Sequence, residues 1–399
     1  MKQLAVILFL AFSLNAFSQE DSKLGKKSPE LTFENILNFE KNNAKLSDFK
    51  NKIVILDFWA TWCASCIKSL PQLEELQTNF SNDVQIITIT DDPEARIKKF
   101  LDKREMKLPI VIDEKRELAK DFPHRTIPHT VVIDKSGIIK AVTTPSEITE
   151  ELINKILKNQ EVNVKEKKDA INFDPSIPLS GNENFTYQIT ITPFKDGYPS
   201  FANPTGGKGP YHGRRIIATN LSASSLYEIA YQFPTAVRTI VEVTDKSKFD
   251  WNRQNAICFD LIVPEDLADN RFRIMKQQLD IYFGYESIVE ERVRPVKILK
   301  QIEGKKVEIK ESQKGTEPFA SYSGRGLSMK GSPIETVTSF LESQIKKPVL
   351  NETNLNRLYD LDLPWYNENP EQIHEELKKI GLEIIDGERK IEVLVIKDK

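Results

Sequence analysis

The chain has few of the residues that build disulfide frameworks and metal sites. Its 399 residues include only three cysteines and four histidines. Three cysteines cannot form the multi-disulfide framework that holds many small secreted domains together. The histidines are scattered and lack the spacing of metal ligands. We therefore expect packed hydrophobic cores to hold the structure, and we expect neither a metal nor another cofactor.

The chain also lacks an excess of charge of either sign. It carries 56 Lys and Arg residues against 59 Asp and Glu residues, which gives a formal net charge of −3. Such a balanced charge does not attract a polyanion or an anionic membrane surface to the chain as a whole. Nucleic acid is therefore not an expected partner.

Long hydrophobic runs are missing except at the start of the chain. There a basic residue precedes an apolar stretch over residues 4–14, and small residues follow it. This is the layout of a secretory signal peptide, so we expect cleavage near Ser18 and Gln19 and a periplasmic or otherwise exported protein. The stretch is shorter than the ~20 residues that span a bilayer, which disfavours an uncleaved anchor. We expect no transmembrane segment in the mature chain.

The remaining chain divides into three parts, because its length exceeds what one ordinary core supports. Between residues 28 and 158, predicted strands and helices alternate, which indicates an α/β domain with a mainly parallel sheet and an antiparallel edge. Residues 159–184 are polar and charged, as in a linker. Residues 185–399 are predicted to be α+β. The order strand, helix, strand, strand, helix, strand occurs there twice, over 185–303 and 320–399, which suggests an internal duplication.

The segment FWATWCASC places Cys63 and Cys66 two residues apart, just after an apolar strand and at the start of a predicted helix. The first thiol then lies near free backbone N–H groups and the positive end of the helix dipole, which favour a thiolate. The second thiol lies one turn further along the helix and is more buried. Such a pair can attack a foreign disulfide and then release the mixed disulfide. A structural zinc site would need distant partners for this single pair.

The phrase FWATWC resembles the active site of the TlpA/ResA-like thiol-disulfide oxidoreductases, which have the thioredoxin fold. The resemblance covers residues 28–158 and includes the extra strand-helix unit over residues 91–122. It implies that Cys63 is the nucleophile, that Cys66 is the resolving thiol, and that the two form a redox-active disulfide.

The same resemblance gives roles to further residues. It makes Asp57 the buried acid that takes the proton from the resolving thiol, although the sequence alone also allows a surface-paired carboxylate. It makes Pro128 a cis-proline that faces the thiols, with Ile127 and Trp62 as contacts to the substrate backbone. Many relatives carry a glutamate where this chain has Ser69, which leaves Asp57 as the expected proton acceptor.

Two further residues have open interpretations. A protonated His129 within reach of the thiols would stabilise the thiolate, and the alternative is a solvated histidine at the sheet edge. Cys258, in a strand-like segment, is expected to be a small buried hydrophobe rather than a third redox thiol.

The C-terminal region resembles an exported bacterial domain family of unknown function, of a soil-associated type. The likeness is carried by stretches such as RRIIATNLSASSLYEIAYQF and KKIGLEIIDGERKIEVLVI. Each half is also similar in pattern to small modules of secretins and TonB-dependent receptors that bind other proteins. The resemblance implies a module that docks partners.

Taken together, these features predict an exported thiol-disulfide oxidoreductase whose substrates are cysteine-containing envelope proteins and which exchanges electrons with a membrane donor or acceptor. Cytochrome c assembly is a frequent task of relatives, and no residue here selects it. Two alternatives remain. One is a thiol peroxidase, although Ala60 stands where those enzymes need a threonine; the other is a non-enzymatic binding or redox-sensing protein.

Overall fold

A computed structural model of the chain describes residues 23–181, 184–207, 209–233, 236–323, 326–365 and 371–399. The expected signal peptide, residues 1–18, lies outside the described residues. No helix among the described residues combines the length and the apolar composition that crossing a bilayer requires.

The N-terminal domain is a mixed sheet with helices on both faces. Its strands are β1 (Thr32–Glu34), β2 (Ile36–Leu37), β3 (Asn43–Lys45), β4 (Ile53–Trp59), β5 (Val84–Thr90), β6 (Ile110–Ile112), β7 (His129–Ile133) and β8 (Ile139–Thr143). Its helices are α1 (Ala64–Asn79), α2 (Glu94–Leu101), α3 (Glu117–Asp121) and α4 (Glu150–Leu157). Six strands form one sheet in the order β2-β6-β5-β4-β7-β8, and β1 pairs with β3 beside it.

Strand β4 lies in the middle of this sheet because its sequence is apolar on both faces. It runs parallel to β5 and antiparallel to β7. Ile53 and Ile55 pack in the core that holds α1 and α4, while Leu56 and Phe58 pack in the core on the opposite face. A strand that buries both faces reads as a continuous hydrophobic run. The predicted thioredoxin-like sheet, with its antiparallel edge formed by β7 and β8, is therefore confirmed.

The C-terminal region holds twelve strands and four α-helices within the described residues. The strands of its first half are β9 (Gln188–Pro193), β10 (Phe201–Asn203), β11 (Arg215–Leu221), β12 (Thr239–Glu242), β13 (Ile257–Ile262) and β14 (Tyr285–Gln301). Those of its second half are β15 (Lys310–Glu311), β16 (Phe319–Ser323), β17 (Gly326–Ser332), β18 (Val349–Glu352), β19 (Tyr359–Pro364) and β20 (Leu382–Asp398). The helices are α5 (Ala223–Ala230), α6 (Arg271–Phe283), α7 (Glu335–Ile345) and α8 (Gln372–Lys379).

The two halves share one topology. The first sheet has the order β10-β11-β13-β9 and the second has the order β16-β17-β19-β15, so each strand has a counterpart in the other half. Both sheets also carry a register shift at the same place, between Ala218 and Leu221 in one and between Met329 and Ser332 in the other. The shared topology supports the predicted duplication, while the domain boundaries stay a prediction.

A third sheet joins the halves. Strands β14 and β20 pair antiparallel along their whole length, and β12 and β18 flank them in the order β12-β20-β14-β18. Each short flanking strand pairs with the long strand of the other half. Both β14 and β20 contribute side chains to the core around α5 and α6 and to the core around α7 and α8. Neither core is therefore complete without the other half.

The structure corrects the predicted end of the chain. The sequence predicts a pair of strands there, LEIIDG and KIEVLVI. Instead β20 is continuous, and Gly387 lies opposite Val296 in the ladder. A carbon at the Cβ position of Gly387 would come within 2.6 Å of Ile298 Cδ1. The glycine therefore makes room for packing in the sheet rather than for a turn.

Candidate active site

A disulfide joins Cys63 and Cys66 where β4 turns into α1, with an S–S distance of 2.04 Å. Cys63 is the N-cap residue of α1, and the backbone N–H of Cys66 donates to its Sγ at 3.2 Å. The first cysteine is 7% exposed and the second is fully buried. After reduction, the sulfur of Cys63 would lie at the positive end of the helix, where a negative charge is stabilised.

Asp57 lies in β4, six residues before the first cysteine, and is fully buried. Burial raises the pKa of the Asp57 carboxyl to about 7, against a smaller lowering by a hydrogen bond from Thr130. Thr130 Oγ1 donates that bond to Asp57 Oδ1 at 2.8 Å. The other carboxylate oxygen, Oδ2, accepts no hydrogen bond from the described residues. The surface-paired alternative is therefore wrong, and the geometry leaves one oxygen able to take a proton.

The Ile127–Pro128 peptide bond is cis, as predicted. Ile127 packs against the core that contains both cysteines. It also lines a cavity of about 290 Å³ together with Trp62 and His124. Trp62 is 41% exposed beside the first cysteine. Ile127 and Trp62, the residues predicted to contact the substrate backbone, thus line one cavity, and Trp62 directly precedes Cys63 in the chain.

The structure corrects the interpretation of His129. The residue is 3% exposed, and its ring lies 4.6 Å from that of His124 in a stacked arrangement. Burial, and then the nearby Lys167 ammonium, hold the pKa of His129 well below its usual range. The lowered pKa disfavours the protonated imidazole of the first interpretation. The burial of the ring excludes the second, a solvated histidine at the sheet edge.

A buried polar network holds the turn before the cysteines, and no sequence pattern predicted it. The backbone N–H and the Oγ1 of Thr61 donate to Asp92 Oδ2 at 2.7 and 2.9 Å. Arg96 Nε donates to Thr61 Oγ1 and lies 3.7 Å from Asp92 Oδ1. Asp92 and Arg96 belong to a segment, DDPEAR, that resembles any helix start. Only the packing of α2 against the turn reveals their role.

Two other residues have structural environments without redox chemistry. Ser69 Oγ donates to the backbone oxygens of Ser65 and Cys66 at 3.2 and 2.8 Å, so it caps carbonyls within α1. Cys258 is fully buried in β13, and its thiol donates to Asn220 Oδ1 at 3.3 Å. The burial of Cys258 agrees with the predicted small hydrophobe.

Two parts of the chain match known families. Residues 24–142 match the sequence model of the AhpC/TSA family. Residues 225–398 match the model of a protein of unknown function, DUF3738. The match supports the predicted fusion of a thioredoxin-like domain to a domain of unknown function.

Individual relatives resemble the N-terminal domain. The thiol-disulfide oxidoreductase ResA of Bacillus cereus is 32% identical over 146 residues, which are 36% of this chain and 82% of that protein. The thioredoxin-like protein YneN of Bacillus subtilis is 28% identical over 136 residues, which are 33% of this chain and 78% of that protein.

Among solved structures, the thioredoxin domain of a thiol-disulfide oxidoreductase from Bacteroides vulgatus is 26% identical. It covers 34% of this chain and 96% of that domain, with a TM-score of 0.29. With its CxxC disulfide at the start of α1 and its identity to ResA over most of that protein, this chain belongs to the family of ResA-like thiol-disulfide oxidoreductases.

Proposed function

We propose that the chain is an exported enzyme that exchanges dithiol and disulfide with cysteine pairs of other envelope proteins. The observation that carries the proposal is the Cys63–Cys66 disulfide at the N-terminal end of α1. The buried Asp57 in the preceding strand supports it, because its pKa of about 7 suits proton transfer near neutral pH. Export is supported by the signal-peptide pattern of the first residues.

The reaction begins from the reduced pair. The Cys63 thiolate attacks one sulfur of a substrate disulfide, which forms a mixed disulfide and releases the other substrate sulfur as a thiolate. Asp57 then accepts the proton of the Cys66 thiol, and the new thiolate attacks Cys63 Sγ. This step reforms the Cys63–Cys66 disulfide and frees the second substrate thiol. Two electrons have passed from the enzyme to the substrate, and a membrane donor is the proposed source of their replacement.

The C-terminal region is proposed to dock partners. Its described residues contain no group of three or more His, Cys, Asp or Glu side chains that could hold a metal ion, and Cys258 is enclosed. Its surface does offer side chains for binding, such as Val293 and Tyr282, which are exposed large hydrophobic residues. The proposal is that this region brings substrates near the thiol pair.

The test is the reduction of insulin disulfides by the full chain with dithiothreitol as electron donor. We expect turnover by the wild type and none by Cys63→Ser. The Cys66→Ala variant should accumulate mixed disulfides, since nothing then resolves them. Equal rates for wild type and Cys63→Ser would refute the proposal. A peroxidase would consume peroxide faster than disulfide, and a pure binding protein would capture partners regardless of both cysteines.

A further inference from the structure

The predicted linker is packed rather than free. Residues 164–179, from here on called the strap, run from the N-terminal domain to the C-terminal region. Near its start, the backbone N–H of Lys167 donates to the oxygen of Val142 at 2.8 Å. Thr143 Oγ1 donates to the oxygen of Lys165 at 2.9 Å. The strap thus lies along β8, the outer strand of the sheet.

Two strap side chains hold the residues before the cis-proline. Lys167 Nζ donates to the backbone oxygen of Thr126 at 2.9 Å and lies 3.5 Å from His129 Nδ1. Asp169 Oδ1 accepts a hydrogen bond from Thr126 Oγ1 at 2.7 Å. Lys167 and Asp169 also form an ion pair, with side chains that are 12% and 5% exposed. Both the main chain and the side chain of Thr126 are therefore tied to the strap.

A third contact holds the neighbouring residue. Arg125 Nη1 donates to the backbone oxygen of Phe173 at 2.8 Å, and its guanidinium lies 5.4 Å from the centre of the Phe173 ring. Arg125, Thr126 and Ile127 all line the cavity that Trp62 also lines. The strap therefore contacts two residues of the cavity wall, Arg125 and Thr126.

The far end of the strap is fixed in the C-terminal region. The fully buried guanidinium of Arg215 donates to the backbone oxygens of residues 175–177 at 2.8 to 3.0 Å. The same guanidinium binds both carboxylate oxygens of Asp260 at 2.8 and 2.9 Å. Asp260 also accepts the backbone N–H of Leu179 at 2.8 Å. Such a bidentate pair with satisfied donors gives a well-defined geometry. This end of the strap is therefore held in one position against the C-terminal region.

We propose that Lys167 and Asp169 are positioning residues for the thiol-disulfide reaction. They hold the cis-proline loop, residues 125–128, from a segment that is outside the thioredoxin fold and anchored in the C-terminal region. The C-terminal region thereby fixes the loop against which a protein substrate lies. That a substrate lies against this loop rests on the proposed function, whereas that the strap holds the loop rests only on the contacts given above.

The first test compares two substrates for the full-length chain. In Lys167→Met we expect the KM for insulin to rise about tenfold, the size of effect that follows the loss of a hydrogen bond from a charged donor. The kcat should stay within about twofold, because the thiols are untouched. Turnover of a small aromatic disulfide, which needs no extended groove, should be unchanged. Lys167→Arg keeps a donor and a positive charge and should restore most of the affinity.

The matched control is Lys168→Met, which removes an exposed lysine one residue further along the strap and should behave as wild type. A second test measures amide hydrogen exchange of residues 125–130 in the oxidised chain, without any substrate. We expect about tenfold faster exchange in Lys167→Met, because local opening of the loop no longer has to break the hydrogen bond from Lys167 to Thr126.

Exchange equal to that of the wild type would overturn the proposal. So would an equal loss of activity on small and large disulfides, which would indicate general destabilisation. Should the wild type turn over neither substrate, the proposed function falls, and the exchange measurement still decides whether the strap holds the loop.

Discussion

The substitution Asp57→Asn tests the buried acid most directly, because the two side chains have nearly the same shape and differ in charge. The folded protein keeps the proton of Asp57 up to about pH 7, whereas the ordinary pKa of 3.8 describes the unfolded chain. The folded state therefore loses stability as the pH rises from about 4 to 7, and the loss levels off above pH 7. Asparagine avoids that loss because it carries no charge at any pH.

The size of the effect follows from the pKa. Each tenfold change in proton affinity corresponds to 1.36 kcal/mol, so a rise from 3.8 to about 7 makes the charged Asp57 cost about 4 kcal/mol at pH 8. We expect Asp57→Asn to stabilise the oxidised N-terminal domain by about this amount at pH 8, relative to its effect at pH 4.

The assay is guanidinium unfolding of wild type and Asp57→Asn at pH 4, 6 and 8. The other titratable groups contribute equally to the free energies of unfolding of both proteins, because the two share every other residue. Their contributions therefore cancel in the difference between the two free energies. Resolution of a mixed disulfide, followed by rapid quench, should slow about a hundredfold in the variant and lose its inflection near pH 7. A stability difference that stays constant from pH 4 to 8, or an unchanged resolution rate, would refute the assignment of Asp57 as the proton acceptor.

Three further perturbations test other parts of the structure. Thr130→Val removes the hydrogen bond that lowers the pKa of Asp57, so the inflection of the pH–rate profile should move upward by about half a unit to one unit; an unmoved profile would contradict this. Arg215→Met leaves the buried Asp260 carboxylate without its ion pair and should cost the C-terminal region about 3–5 kcal/mol in unfolding experiments. A second change, Asp260→Leu, should recover only part of this, because the backbone oxygens of residues 175–177 and the N–H of Leu179 then also lose their partners. Gly326→Ala places a methyl group against a carbonyl oxygen of β19 at a φ of +124° and should destabilise the same region by about 3 kcal/mol, as calorimetry would show.

The sequence alone was sufficient for the thiol site. The apolar run of β4 and the CxxC pair at the start of α1 are local signals, because burial on both faces and the capping of a helix each depend on adjacent residues. The cis-proline and the buried Asp57 were predicted through the family resemblance, and the structure places both as expected. The order strand, helix, strand, strand, helix, strand, which occurs twice in the C-terminal region, was likewise predicted from hydrophobic periodicity.

Tertiary structure alone decided the features that depend on distant partners. A D-G pair favours a turn locally, yet β20 continues through Gly387 because β14 offers seventeen consecutive pairing residues. Burial in the folded chain, and then the ammonium of Lys167, thirty-eight residues away, hold the pKa of His129 well below its usual range. The polar composition of the strap is that of a free linker, and its order comes from carbonyl groups satisfied by Arg125 and Arg215. The composition of a segment indicates which of its groups can be buried. Which partners bury and hydrogen-bond them is determined only by the folded chain.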